Sequence, residues 1–216
     1  MMTLRTIPRL YPIIDDTFVP LAMMEETTNV IVGGGAKILQ LRAKNLSSGD
    51  FLDAAKIIRE ITKKSEVIFI VNDRLDVAIL SDADGIHLGQ RDMPACEARR
   101  LLGRSKVIGI STHNLKETFD AKILPIDYIS FGPIWPTTTK GDAEAAQGLK
   151  MLSEVLKAVD IPIVAIGGIT EARLSEVLNK GASSAAMISD IFSSNDIKEK
   201  VKRLIKKSEK GGTPLA

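Results

Sequence analysis

Eight short apolar runs, each ending in Gly, polar or charged residues, limit the fold of this chain more than any other feature. They are LYPIID from Leu10, ILQLRA from Ile38, VIFIVN from Val67, GIHLG from Gly85, VIGIS from Val107, YISFG from Tyr128, PIVAIG from Pro162 and SAAMIS from Ser184. Near-continuous apolar runs of this length suit strands buried on both faces, the condition of a parallel sheet. Helix-like stretches lie between them. Residues 48–64 place Phe51, Leu52, Ala55, Ile58 and Ile61 on one stripe, with Ser48 and Asp50 as start signals. Residues 74–80 and 148–159 read the same way. So do 170–181, with Thr170 as the expected N-cap and Gly181 as the stop. The basic stretch 198–210 turns Val201, Leu204 and Ile205 inward at helical spacing. The least regular units are the first helix, near 21–32, and the short fourth strand.

Strands alternating with helices imply βαβ crossovers. Eight such units in 216 residues predict an α/β fold, a single (β/α)8 TIM barrel, rather than an open doubly wound sheet. No Pro/Gly/Ser-rich linker interrupts the series. One domain is therefore expected over 1–216, with its core over about 10–207 and a flexible tail over 208–216. The connection at 133–148 (PIWPTTTKGDAEAAQG) is long for a barrel loop and lacks periodicity, so it reads as a moving lid.

Composition excludes several functions. The net charge is +2 and aromatic residues make up 4%, too little of either for a nucleic-acid groove lined with stacking rings. No apolar run reaches the roughly 18 residues of a membrane span. A lone Cys96, near the start of an expected helix, allows no intrachain disulfide. No signal-peptide pattern opens the chain, so a reducing cytoplasm is the default compartment. The sequence is compatible with a homo-oligomer and does not set the oligomeric state.

In a parallel barrel the chemistry sits at the C-terminal ends of the strands. The residues that follow the runs there are complementary. Arg42, Lys44 and Lys140 are cations approaching from two sides, and Asp73 and Asp92 are carboxylates from adjacent strands. That set suits a polyphosphate held with a divalent metal: cations meet phosphate oxygens, and hard carboxylate oxygens hold a hydrated Mg²⁺. A second anion site is expected after the last two strands. There the IGGI segment lets backbone N–H groups approach a ligand, and Ile188 and Ser189 open a short helix. A monophosphate at one side and a metal-held polyphosphate opposite would make a two-substrate site. His87, inside the fourth run, reads as a packed, hydrogen-bonded core histidine. His113 and Trp135 have no single reading at this level.

The strings QLRAK (40–44), NDR (72–74), DGIHLGQRD (84–92), GISTH (109–113), DYISFGPIWPTTTK (127–140), VAIGGI (164–169) and MIS (187–189) resemble the thiamine phosphate synthase family. The match runs in order from about Leu10 to Ile205, and the PTTTK and GQRD segments are its most specific parts. The resemblance implies a barrel that joins 4-amino-2-methyl-5-hydroxymethylpyrimidine diphosphate to 4-methyl-5-(2-hydroxyethyl)thiazole phosphate, giving thiamine monophosphate and diphosphate with Mg²⁺. It implies that Gln40, Leu41, Arg42, Ala43, Lys44, Asn72, Ser111 and Lys140 hold the pyrimidine diphosphate. Thr137, Thr138, Thr139, Gly168, Ile188 and Ser189 would hold the thiazole phosphate, and Asp73 and Asp92 the Mg²⁺. Arg42, Lys44, Lys140 and Ser111 would serve the chemistry. The first strand departs from the family, reading PIIDD where Ile-Thr-Asp is commoner. A thiazole tautomerase, which would depend on His113 and need no Mg²⁺, is the alternative enzyme. A non-catalytic barrel that binds thiamine precursors is the alternative from another class.

Overall fold

The structure, a computed structural model, describes residues 6–137, 139 and 145–210. Among them the eight apolar runs form strands: β1 (Leu10–Asp15), β2 (Ile38–Arg42), β3 (Ile68–Asn72), β4 (Gly85–Leu88), β5 (Val107–Thr112), β6 (Tyr128–Phe131), β7 (Ile163–Ile166) and β8 (Ser184–Met187). Every strand pairs in parallel with its sequence neighbours, and β8 pairs with β1, so the sheet closes into a barrel. The expected (β/α)8 architecture is the one observed.

Alternation along each strand builds two apolar regions, because successive side chains point to opposite faces of a sheet. Tyr11, Ile13, Ile38, Ile70, Val107, Tyr128 and Val164 fill the barrel interior. Ile14, Leu39, Leu41, Val71, Ile86, Ile108 and Ile129 face the other way and pack with residues of the surrounding helices. This explains why the strands read as continuous apolar runs. Fully burying one such side chain stabilises the fold by roughly 1.5–3 kcal/mol.

The helices are α1 (Met24–Gly33), α2 (Ser48–Lys64), α3 (Leu75–Leu80), α4 (Ala95–Leu102), α5 (Leu115–Lys122), α6 (Gly148–Ala158), α7 (Leu174–Asn179), α8 (Ser189–Phe192) and α9 (Ile197–Lys210). A 3₁₀ turn (Leu21–Met23) precedes α1. Helix α2 spans the expected residues, but its cap is Ser47, whose hydroxyl accepts from the Asp50 N–H at 3.2 Å. Its buried face is Phe51, Ala54, Ala55, Ile58 and Thr62, so Leu52 and Ile61 sit at the flank of the stripe.

Helix α7 begins later than expected. Residues 170–173 form a turn in which the Thr170 carbonyl accepts from the N–H groups of Arg173 and Leu174. Contacts outside the segment hold that turn. The Glu171 N–H donates to Asp190 at 3.1 Å, and the Arg173 guanidinium donates to the Gly168 carbonyl at 2.9 Å. The last helix also corrects the expected tail. Helix α9 runs through Ser208 to Lys210, and Arg9 donates to the Ser208 carbonyl at 2.8 Å. Residues 211–216 lie outside the described residues. No helix among the described residues is long and apolar enough to cross a membrane.

Candidate active site

The C-terminal ends of the strands enclose a cavity of about 430 Å³. One wall of it is built by the turn after β3. Asp73 takes a left-handed backbone (φ 62°), unusual for a residue with a Cβ. The strain is held by two hydrogen bonds: Asp73 N–H to the His87 carbonyl at 2.8 Å, and Arg74 N–H to the Asn72 carbonyl at 2.7 Å. The result presents the Asp73 carboxyl to Asp92 and to Lys44, whose ammonium is 2.5 Å away. Burial, reinforced by the facing Asp92, raises the Asp73 pKa above its ordinary value, and Lys44 only partly opposes this. Asp92 is oriented by the Gly89 N–H, which donates to it at 2.7 Å.

Arg42 enters the cavity from the end of β2. The β1–β2 register places Asp15 beside it, and the two side chains form a buried ion pair. Asp15 is fully buried and also accepts from the Thr17 N–H at 2.9 Å. Its neighbour Asp16 accepts from the N–H groups of Asn45 and Leu46. The PIIDD ending of the first strand therefore fixes the segment that carries Arg42 and Lys44. A guanidinium has five N–H donors, so pairing with Asp15 leaves others for a ligand.

Ser111 and Thr112, the last residues of β5, and His113 after them line the next wall. The Ser111 carbonyl accepts from the Gln90 side chain at 2.6 Å, and its hydroxyl lies 2.9 Å from His87 Nε2. His87 is buried and hydrogen-bonded, as expected for a core histidine. His113 Nδ1 lies 2.9 Å from the Glu117 carboxylate, four residues on at the start of α5. The second ring nitrogen is not engaged by that contact.

Another wall follows β7 and β8. Gly167 (φ 94°) and Gly168 (φ 63°) both require the left-handed region. A Cβ on Gly168 would lie 2.7 Å from Trp135 Cβ, so the loop after β6 closes directly over this glycine. That loop is pinned at both ends: Ile134 N–H donates to the Ile166 carbonyl, Trp135 N–H to the Gly167 carbonyl, and Gly148 N–H to the Ile134 carbonyl. The Trp135 ring lies under the Arg173 guanidinium at 4.9 Å. It therefore packs the loop against the α7 turn, and the cavity wall excludes it. Behind Ser189, Lys200 bridges Asp190 at 2.8 Å and Glu171 at 3.0 Å, which cancels the acidic residue in the first turn of α8.

The cavity brings together Arg42, Lys44, Asn72, Asp73, Asp92, Ser111, Thr137, Thr139, Gly168, Ile188 and Ser189. Three expected residues do not line it. Leu41 and Ala43 point outward into the helix-packing layer, because they alternate with Arg42, so only their backbone could meet a ligand. Gln40 lies one level down, donating to the Tyr11 hydroxyl at 3.0 Å. Thr138 and Lys140, with residues 141–144 of the expected lid, lie outside the described residues. The sequence reading missed Asp15, Arg91, Glu117 and Arg173. The His113–Glu117 spacing of four was a usable helical signal. Asp15 could be found only once the strand register was known.

With this geometry in place, the comparisons with known proteins converge. The family model for thiamine monophosphate synthase matches residues 10–191. A thiamine-phosphate synthase of Persephonella marina is 47% identical over 80% of this chain and 82% of its own length. One from Clostridium novyi is 40% identical over 91% of this chain and 96% of its own. The solved structure of a thiamine phosphate pyrophosphorylase from Pyrococcus furiosus superposes with a TM-score of 0.86 at 34% identity, covering 95% of this chain and 98% of that one. The chain belongs to the thiamine monophosphate synthase family, a family of transferases.

Proposed function

We propose that this enzyme condenses 4-amino-2-methyl-5-hydroxymethylpyrimidine diphosphate with 4-methyl-5-(2-hydroxyethyl)thiazole phosphate, releasing thiamine monophosphate and diphosphate. The observation that carries the reading is the division of one cavity into two phosphate-compatible walls, Arg42–Lys44–Asp73–Asp92 on one and Gly168–Ser189 on the other. Arg42 and Lys44 would bind the diphosphate, with Asn72 and Ser111 beside it. Lys140 would join them on the strength of the family motif. Thr137, Thr139 and the backbone at Gly168, Ile188 and Ser189 would hold the thiazole phosphate.

The paired carboxylates of Asp73 and Asp92 fit a divalent cation. Two carboxyls face one another in a largely buried wall, where burial first and the neighbouring carboxyl second disfavour the charge on Asp73, and a hard dication is a partner that relieves both. When bound there, Mg²⁺ would neutralise negative charge gathering on the departing diphosphate. The remaining chemistry belongs to the chain. The C–O bond of a benzylic-type carbon on an electron-rich aminopyrimidine can break before attack, with the cation delocalised into the ring. Arg42, Lys44 and the Ser111 hydroxyl stabilise the leaving group. The thiazole nitrogen that then attacks has no proton to lose, so no general base is required. Catalysis rests on positioning and electrostatics.

The test is an incubation of the purified protein with both precursors and Mg²⁺, with thiamine monophosphate separated by chromatography. Product that requires both precursors supports the reading. No product sinks it. Formation of an isomerised thiazole without the pyrimidine, lost in His113→Ala and indifferent to Asp92→Ala, would establish the tautomerase instead.

A further inference from the structure

Beneath the cavity floor a line of buried polar groups runs up the barrel axis. Gln40 Nε2 donates to the Tyr11 hydroxyl at 3.0 Å. The Tyr11 and Tyr128 hydroxyls are 3.0 Å apart. Tyr128 is 2.9 Å from His87 Nδ1, and His87 Nε2 is 2.9 Å from the Ser111 hydroxyl. The His87 and Tyr128 rings stack with centroids 5.4 Å apart. That stack depends on Gly109, where a Cβ would sit 2.1 Å from Tyr128 Cζ. Only the last member, Ser111, lines the cavity; the others lie below it.

The direction of these bonds follows from counting protons. An amide NH₂ can only donate, so Tyr11 accepts from Gln40 and gives its single proton to Tyr128. Tyr128 then gives its own to His87 Nδ1. A ring nitrogen that accepts carries no proton, so the neutral imidazole is protonated at Nε2 and donates to Ser111. The reverse polarity, with Nδ1–H donating to Tyr128, leaves two phenolic protons for the one remaining Tyr11–Tyr128 contact. One buried hydroxyl would then lack an acceptor within the line, which is costly. Burial raises the pKa of both tyrosines, so both keep their protons. The Ser130 hydroxyl lies 3.3 Å from His87 Nε2, farther than Ser111 at 2.9 Å, and donates to the Ser111 oxygen at 3.5 Å. With its oxygen accepting, Ser111 has its own proton free for the cavity.

We propose that His87 is a positioning residue: held as the Nε2–H tautomer by the Gln40–Tyr11–Tyr128 line, it makes Ser111 a fixed hydrogen-bond donor toward the phosphorylated substrate. The substrate clause rests on the proposed function; the tautomer does not.

Two measurements test it. The chain has two histidines, so ¹⁵N NMR of the labelled wild-type protein at neutral pH reads both rings, with His113→Ala assigning them. The expected spectrum shows His87 protonated at Nε2 only. A His87 protonated at Nδ1, or at both nitrogens, overturns the proposal. In kinetics, Ser111→Ala should lower kcat/KM for the pyrimidine diphosphate by roughly 100- to 1,000-fold, the scale of one lost preorganised donor. His87→Met should do the same, and His87→Met combined with Ser111→Ala should be no worse than Ser111→Ala. His87→Gln, which keeps an N–H near Nε2, should recover most of the loss, with KM for thiazole phosphate unchanged. Additive losses in the double variant, or a folded His87→Gln as poor as His87→Met, overturn the proposal. Wild-type protein that makes no thiamine monophosphate would instead sink the functional reading, and the tautomer would still be decided by the spectrum.

Discussion

Replacing Asp15 by Ala should cost both stability and turnover, by way of Arg42. Asp15 is fully buried and Arg42 is 9% exposed, so the variant strands a cation where water reaches it poorly. The Thr17 N–H loses its acceptor as well. Removing one partner of a buried ion pair typically costs about 3–5 kcal/mol, most of it the penalty of the charge left behind. Against a total stability of about 5–15 kcal/mol this is a large fraction. In a chain of this length each kcal/mol shifts Tm by about 2–4 °C, so a fall of roughly 6–20 °C is expected. Thermal unfolding followed by circular dichroism gives the shift. Kinetics on the folded fraction should show a raised KM for the pyrimidine diphosphate, because Arg42 is no longer aimed. The double variant Asp15→Leu/Arg42→Met should regain most of the stability and none of the activity, since an apolar pair of similar volume avoids the desolvation penalty. An Asp15→Ala protein that melts within about 2 °C of wild type, less than one kcal/mol on that scale, and turns over normally would refute the claim that this pair holds Arg42.

Gly168→Ala should raise KM for thiazole phosphate about tenfold or more, with little effect on the pyrimidine diphosphate; it forces a Cβ into the left-handed region and against Trp135. An unchanged KM would remove this glycine from the anion wall. Asp92→Ala should raise the Mg²⁺ concentration needed for half-maximal rate and lower kcat, read from a metal titration; an unchanged titration would take Asp92 out of the metal site. Lys200 holds the Glu171 carboxyl below its ordinary value of 4.5. Because that folded-state pKa is depressed, the contact contributes in full above about pH 4.5 and is lost as pH falls through the lower folded value. Lys200→Met should therefore flatten the acid limb of a stability-against-pH curve, and an unaltered limb would show that the pair contributes nothing there.

The barrel was legible because strands buried on both faces must be apolar throughout, and the eight runs lie within a residue or two of the observed strands. Side-chain direction was less legible. The QLRAK string reads as five contact residues, yet period-two alternation sends Leu41 and Ala43 outward, and Gln40 sinks to the level of Tyr11. Long-range pairings were not legible at all. Nothing in the sequence near Arg42 announces Asp15, because the contact arises from the β1–β2 register. Tyr11 and Tyr128 read as apolar strand residues, since only closure of the barrel brings their hydroxyls together. Thr170 looked like a helix cap, but Asp190 and the Gly168 carbonyl hold the residues after it in a turn, so tertiary contacts overrode the local signal.

The most direct measurement of the central claim is ³¹P NMR of one mixture containing enzyme, Mg²⁺, the pyrimidine diphosphate and the thiazole phosphate. If two substrates meet in one cavity divided between two phosphate walls, inorganic diphosphate and thiamine monophosphate appear together in equal amounts, and neither forms when either precursor is left out. Diphosphate released at the same rate without the thiazole, or no change in either phosphate signal, would contradict it.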